Sequence, residues 1–224
     1  MDNIVISIGG SVLLSEDNNK KYYKKLKNLL LENSKKYKLF LVVGGGKTAR
    51  EYIKIGRSLN LSEENLDLLG IEMTRVNAKL LSMIIFGSDK KIPEETKEVI
   101  NQDNNITIMG GTIPGHSTDK VAAELAEKID ASKFIIATNV DGVYTKDPNK
   151  FKDAKQIKEI KIDELIKKYG TDWKKAGENI VIDGPALKII SRLRNPVFIL
   201  NGKKINQLNN AINGNIFNGT IIKK

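Results

Sequence analysis

Cysteine is absent from the 224 residues, proline occurs five times, and only 6% of the chain is aromatic. The first absence excludes a disulfide framework and any thiolate metal site. The scarcity of proline leaves no Pro-rich linker to divide the chain, and no Ser-rich or low-complexity stretch does so either. The longest uninterrupted apolar runs, such as Leu39 to Val43, fall far short of the roughly 18 residues a membrane-spanning helix needs. No N-terminal stretch joins a charged start to a long apolar run, so a soluble cytoplasmic protein without membrane partners is expected. Histidine occurs once, as His116, and a lone histidine in a glycine-rich loop is more often a structural hydrogen-bonder than a general base.

What the chain does have is positive charge, +10 from 37 Lys and Arg against 27 Asp and Glu. Such an excess suits nucleic acid or small anionic substrates. Most of the lysines, however, fall in stretches such as Lys20 to Lys38, mixed with apolar residues at helical spacing, where a solvated face is their ordinary role. No aromatic-rich strand or basic-aromatic motif of an RNA binder accompanies them, and no nucleic acid partner is expected.

Glycine punctuates the apolar runs. Ile4 to Ile8 ends in Gly9-Gly10-Ser11, Leu39 to Val43 in Gly44-Gly45-Gly46, and Ile106 to Met109 in Gly110-Gly111-Thr112, while Phe134 to Ala137 opens into a polar loop. Each reads as a buried strand, with a further strand at Val197 to Leu200. Helical patterns lie between them over 19–36, 48–59, 63–86 and 118–128, where Val121, Ala122, Leu125, Ala126 and Ile129 make one apolar stripe. Helices near 163–169 and 185–194 follow, and a last one before Gly219. This alternation predicts a three-layer α/β/α sandwich around a mostly parallel sheet. We read a single domain over 1–224 with two lobes, meeting near Ala131.

A residue without Cβ lets backbone N–H groups approach phosphate oxygens, and a helix starting at once adds its positive end. Gly44-Gly45-Gly46 before a helix at Thr48 fits that description. Gly46-Lys47-Thr48 suggests a P-loop, but that motif needs glycine where this chain has Leu41 inside the strand. Gly44 to Ala49 formally satisfies a dinucleotide-binding fingerprint. That fingerprint also wants an acidic residue at the next strand tip about 20 residues on, and Asp67 falls in a helical segment. Glycines that merely permit tight turns would explain any one cluster, but hardly all three.

The fourth run ends in Ala137-Thr138-Asn139-Val140-Asp141-Gly142-Val143-Tyr144-Thr145-Lys146-Asp147-Pro148. A strand tip opening into a polar loop is where open α/β sheets hold ligands. Thr138 and Asn139 offer donors and acceptors, Tyr144 a flat face with a polar end, and Asp147 an acceptor for ribose or base. Asp-Gly alone would suit a plain hairpin turn; the flanking residues make a nucleotide pocket the better reading.

Read whole, this loop resembles the ATP-binding loop of the amino acid kinase family. Ile8 to Leu13, Val42 to Arg50, Asp67 to Ile71, Thr74 to Ala78, Met109 to Asp119, and Val181-Ile182-Asp183 with Ala186-Leu187-Lys188 follow in the same order and spacing. Along nearly the whole chain the match is to the archaeal-type branch of that family that phosphorylates UMP. The resemblance implies transfer of the γ-phosphoryl of ATP to UMP, with Mg²⁺, in pyrimidine nucleotide synthesis. It implies ATP phosphates on Gly10, Ser11, Gly46 and Arg50, and the ATP nucleoside on Thr138, Asn139, Tyr144 and Asp147. UMP would lie on Gly45, Asp67 and Thr112, Ile113, Pro114, Gly115, His116, Ser117 and Thr118. The UMP side would be the lobe of about residues 1–130, the ATP side that of about 131–224. Asp119 would orient a lysine or Mg²⁺, with Asp119 and Asp183 as candidate metal ligands. The resemblance also suggests a homo-oligomer, a hexamer built from dimers.

One departure bears on mechanism. Many members carry a lysine on the first strand just before the glycine pair, where this chain has Ser7 and Ile8. Another cation must then face the transferring phosphoryl: Lys47, Arg50 and Lys188 are the candidates, and Arg50 has the fork geometry that suits phosphate. Isopentenyl phosphate kinases are the nearest enzyme alternative, but they place a histidine soon after the second glycine cluster and Lys47 to Arg50 contains none. A non-catalytic nucleotide- or RNA-binding module is the alternative outside enzymes.

Overall fold

The computed structural model describes residues 1–14, 20–100, 102–148, 150–172 and 182–224. In chain order the elements are β1 (Asp2–Ile8), α1 (Gly10–Leu13), α2 (Lys20–Asn33), β2 (Tyr37–Val43), α3 (Gly46–Ser58), α4 (Glu63–Phe86), α5 (Thr96–Ile100), β3 (Ile106–Met109) and α6 (Thr118–Lys128). Then come β4 (Lys133–Thr138), β5 (Val143–Tyr144), β6 (Gln156–Ile157), β7 (Glu159–Lys161), α7 (Ile162–Tyr169), α8 (Gly184–Ile190), β8 (Val197–Asn201), α9 (Ile205–Asn213) and β9 (Gly219–Lys223).

Seven strands form one sheet in the order β3-β2-β1-β4-β8-β9-β7. The first five run parallel, and β9 runs antiparallel to β8. Strand order reverses between β1 and β4, the crevice where open parallel sheets bind ligands. Alternation along the strands feeds two cores. Ile4, Ile6 and Ile8 of β1 join Leu39, Leu41 and Val43 of β2 against α2, α4 and α9. Val5, Val42 and Ile136 face the opposite way, against α6, α7 and α8. A sheet buried on both faces with helices over each is the predicted three-layer sandwich, and it runs unbroken across the expected lobe boundary near Ala131.

Some expected limits move. The helix expected to Lys36 ends at Asn33, because β2 starts at Tyr37 and its pairing with Asp2 claims that segment. The helix expected from Thr48 begins at Gly46, and the one expected to Arg194 ends at Ile190. Val181 and the expected helix start at Asn19 lie outside the described residues.

Candidate active site: glycine turns around one cavity

The C-terminal ends of β1, β2 and β4 and the loop after β3 open into one cavity of about 560 Å³. Gly10 and Ser11 come from the first turn, Gly44, Gly45, Gly46 and Arg50 from the second, and His116, Ser117, Thr118 and Asp119 from the start of α6. Thr138, Asn139, Tyr144 and Asp147 supply the far wall after β4, with Asp183 at the start of α8. The first two turns touch: a Cβ on Gly10 would lie 2.2 Å from the Gly46 nitrogen, and Gly46 itself has φ +71°. Glycine at both positions is what allows two strand ends to present their backbones side by side.

Helix α4 holds the second and third turns in place. Asp67 accepts from the Gly115 N–H at 2.6 Å, and Thr74 accepts from the Gly111 N–H at 2.6 Å. Asn77 donates to the carbonyls of Gly44 and Gly45, while Arg75 reaches the carbonyls of Gly111 and Thr112. The helix is strongly terminated: Ser62 caps its N-terminus and Gly87, at φ +73°, its C-terminus.

Two carboxylates meet at the junction of α6 and α8. Asp119 keeps some surface toward the cavity, yet the protein crowds it enough that burial, with the Asp183 charge next, pushes its pKa up to about 7. The Ser7 hydroxyl donates to Asp119 at 2.6 Å and partly opposes that rise. Asp183 is raised by burial; the Ser117 hydroxyl, the Ala186 N–H at 2.9 Å and the nearby charge of Lys120 oppose the rise. His116 is pulled below its ordinary value by burial and by Lys120, against the pull of Glu124.

Most of the residues expected from the sequence are brought together, but six are not in the cavity wall. Lys47, expected as a catalytic cation, points outward, 65% exposed, toward Glu51 at 4.0 Å. Lys188 stands on the exposed face of α8, because Ala186, Leu187, Ile189 and Ile190 turn the helix's other sides into the core. Arg50 is the one of the three proposed cations that lines the cavity. Thr112, Ile113, Pro114 and Gly115 also lie off the wall, with Ile113 52% exposed; Gly115 reaches the site through Asp67. Lys168, Tyr169 and Asp172, which line the cavity beside Tyr144, were not singled out, since nothing in the α7 pattern distinguishes them from a solvated helix end. Ser7 carried a signal: a lone hydroxyl in an otherwise apolar buried strand needs a partner.

Fold and cavity together define an α/β protein whose bare backbone turns converge on one cleft at the sheet's switch point. The chain belongs to the amino acid kinase family, which it matches over residues 2–201. It is 43% identical to a uridylate kinase of Methanocaldococcus jannaschii over 98% of this chain and 99% of the relative. It is equally similar, at 43%, to a uridylate kinase of Methanobrevibacter smithii over 99% of each chain. Among solved structures, the crystal structure of uridylate kinase from Archaeoglobus fulgidus superposes with a TM-score of 0.84 at 38% identity over 100% of both chains.

Proposed function

We infer that the protein transfers the γ-phosphoryl group of ATP to UMP, giving UDP and ADP. The observation that carries this reading is the convergence of four strand-end turns on one cavity, since two nucleotides meeting by their phosphates need backbone donors from both sides. ATP would lay its phosphates on Gly10, Ser11, Gly46 and Arg50 and its nucleoside against Thr138, Asn139, Tyr144 and Asp147, in the lobe after about residue 131. UMP would occupy the side formed by Gly45, Asp67 and the start of α6, His116 to Thr118, in the lobe before it. Phosphoryl transfer rests on positioning and charge stabilisation, so Arg50 and the N–H groups of the turns do most of the work. The attacking UMP oxygen is already ionised at neutral pH and needs no base.

Asp119 and Asp183 suit a hard cation. Among the described residues no three His, Cys, Asp or Glu side chains group together as a metal site, so Mg²⁺ would be held by these two carboxylates only together with phosphate oxygens. When bound it would neutralise charge on the transferring group.

We further propose that the protein works in the cytoplasm as a homo-oligomer, a hexamer built from dimers. Helices α3 and α4, which pack on each other, expose Tyr52 and Ile55 on one, with Leu59 just after its end, and Leu69, Val76, Leu80 and Met83 on the other, an apolar surface that suits a second copy of the chain.

The test is an assay of purified, Mg²⁺-replete protein with ATP and UMP, CMP, AMP or isopentenyl phosphate as acceptor. A pocket built to hydrogen-bond one base rejects others by up to about 10⁴–10⁵, so UDP should form far faster than any other product. Absence of UDP would refute the reading, and preference for isopentenyl phosphate would replace it. Salt-sensitive RNA binding without turnover would point instead to a binding module.

A further inference from the structure

We propose that Asn77 is a positioning residue for phosphoryl transfer: by holding two carbonyls on its own side, it aims the N–H groups of Gly45 and Gly46 into the cavity. The proposal rests on the nucleotide-kinase reading above and names a residue that does not itself line the cavity wall.

Asn77 lies midway along α4 and is only 3% exposed. Its amide nitrogen donates to the Gly44 carbonyl at 2.9 Å and to the Gly45 carbonyl at 3.2 Å. A primary amide carries two N–H donors on one planar group, so it can serve two carbonyls one residue apart; both partners are acceptors, so only the nitrogen end can face them. In a trans peptide the C=O and the following N–H point in opposite directions. Fixing the carbonyls of residues 44 and 45 toward α4 therefore turns the N–H groups of residues 45 and 46 away from it. Gly44, Gly45 and Gly46 all line the cavity. Among the described residues neither the Gly45 nor the Gly46 N–H finds an acceptor in the protein.

Two features make this turn depend on an outside anchor. Gly46 sits at φ +71°, where glycine has several accessible alternatives. The Gly44 N–H is tied to the Ile8 carbonyl at 2.9 Å, which fixes where the turn begins and leaves the next two peptide planes free to rotate. Asn77 fixes those two planes. Because the Gly46 nitrogen abuts Gly10, the register it sets passes directly to the first turn as well. Without the amide, the Gly44 carbonyl would be buried unpaired and the half-buried Gly45 carbonyl would lose its side-chain donor, and rotating a peptide plane toward the cavity would rehydrate a carbonyl while withdrawing an N–H.

A residue that only stabilised the fold would lower the melting temperature and leave the chemistry per folded molecule alone. The experiment separates the two roles. Asn77→Asp keeps size and burial but presents oxygen to two oxygens; Asn77→Ser keeps one donor that Asn77→Ala lacks. For each variant, kcat is measured at saturating UMP and MgATP on the folded fraction, together with calorimetric Kd values for MgADP and for UMP alone. In Asn77→Asp, kcat should fall by about 10²-fold, the scale of losing one preorganised donor, and both Kd values should weaken. Activity of that variant relative to wild type should recover as pH falls, because the protonated carboxyl regains an O–H donor. Asn77→Ser should turn over faster than Asn77→Ala. Variants that melt earlier but keep wild-type kcat and Kd values would overturn the proposal, as would equal losses in the serine and alanine variants. If wild type phosphorylates some acceptor other than UMP, the MgADP Kd of Asn77→Asp still reads the turn, so failure of the substrate assignment and failure of this proposal are distinguishable.

Discussion

Arg50 is where the charge problem of this chain concentrates. The first strand offers a hydroxyl at Ser7 in place of a lysine, Lys47 faces solvent, and Lys188 lies on the far side of α8. An arginine one turn into α3, near the helix's N-terminus, combines a rigid fork with the positive helix end. Arg50→Ala should therefore cut kcat by about 10²–10³ without altering the circular dichroism spectrum, and an unchanged rate would remove Arg50 from the site. Asp119 supplies a second test. Its pKa, pushed up to about 7 by burial and by Asp183, lies above its unfolded value. The folded state thus holds that proton more tightly, and the stability it contributes is present below the ordinary carboxylate range and lost as pH rises through about 7. In Mg²⁺-free, nucleotide-free protein, Asp119→Asn should raise the melting temperature most at pH 8 and by less at pH 5, the gain vanishing below about pH 4. If the ionised carboxylate is what turnover uses, the acid limb of kcat/KM falls near pH 7, and Ser7→Ala, which removes the hydroxyl favouring the charged form, should move that limb upward. A limb that stays put in Ser7→Ala would disconnect Ser7 from the titration.

Each turn follows a strand, and the strands were legible because their largely apolar runs end in glycine or, for β4, open into a polar loop. What those glycines do depends on contacts the sequence does not display. Gly10 faces Gly46 across 36 residues of chain, and a Cβ there would lie 2.2 Å from a backbone nitrogen that cannot swing aside. Gly10→Ala should drive the two turns apart, and since a displacement of about 1 Å can cost 10²-fold in rate, kcat should drop at least that far; wild-type turnover would contradict the back-to-back packing. The same distinction runs through α4. Its span, 63–86, was legible in the sequence, yet the roles of Thr74 and Asn77 were not, because both occupy positions that apolar periodicity assigns to the core. Ser7 shows the converse, a polar residue on a buried strand whose partner, Asp119, lies 112 residues away. The short strands β5, β6, β7 and β9 escaped notice because β5 and β6 have two residues each and β9 pairs antiparallel to its neighbour, outside the strand–helix alternation that located the rest.

At the scale of the molecule, α3 and α4 work on both sides. Their inner faces carry Arg50, Ile53, Asp67 and Thr74 to the cavity, while Tyr52, Ile55, Leu59, Val76 and Leu80 stand 42–70% exposed on the outside. Leaving that much apolar surface in water costs roughly 25 cal/mol per Å², so a second copy covering it recovers free energy that a monomer forgoes. Whatever covers the outer stripe would also stiffen the two helices that carry the side of the cavity proposed above for UMP. Wild-type protein should therefore sediment as an assembly larger than one chain. The double variant Tyr52→Glu with Leu80→Glu, which places like charges on both stripes without touching a buried position, should sediment as a monomer. In that monomer KM for UMP should rise more than KM for ATP, because Asp67 and Thr74 ride on the loosened helix whereas Thr138, Asn139 and Tyr144 follow β4, which lies across the sheet from it. A variant that remains assembled would show that α3 and α4 are not the interface, and a monomer with both KM values unchanged would uncouple assembly from the site.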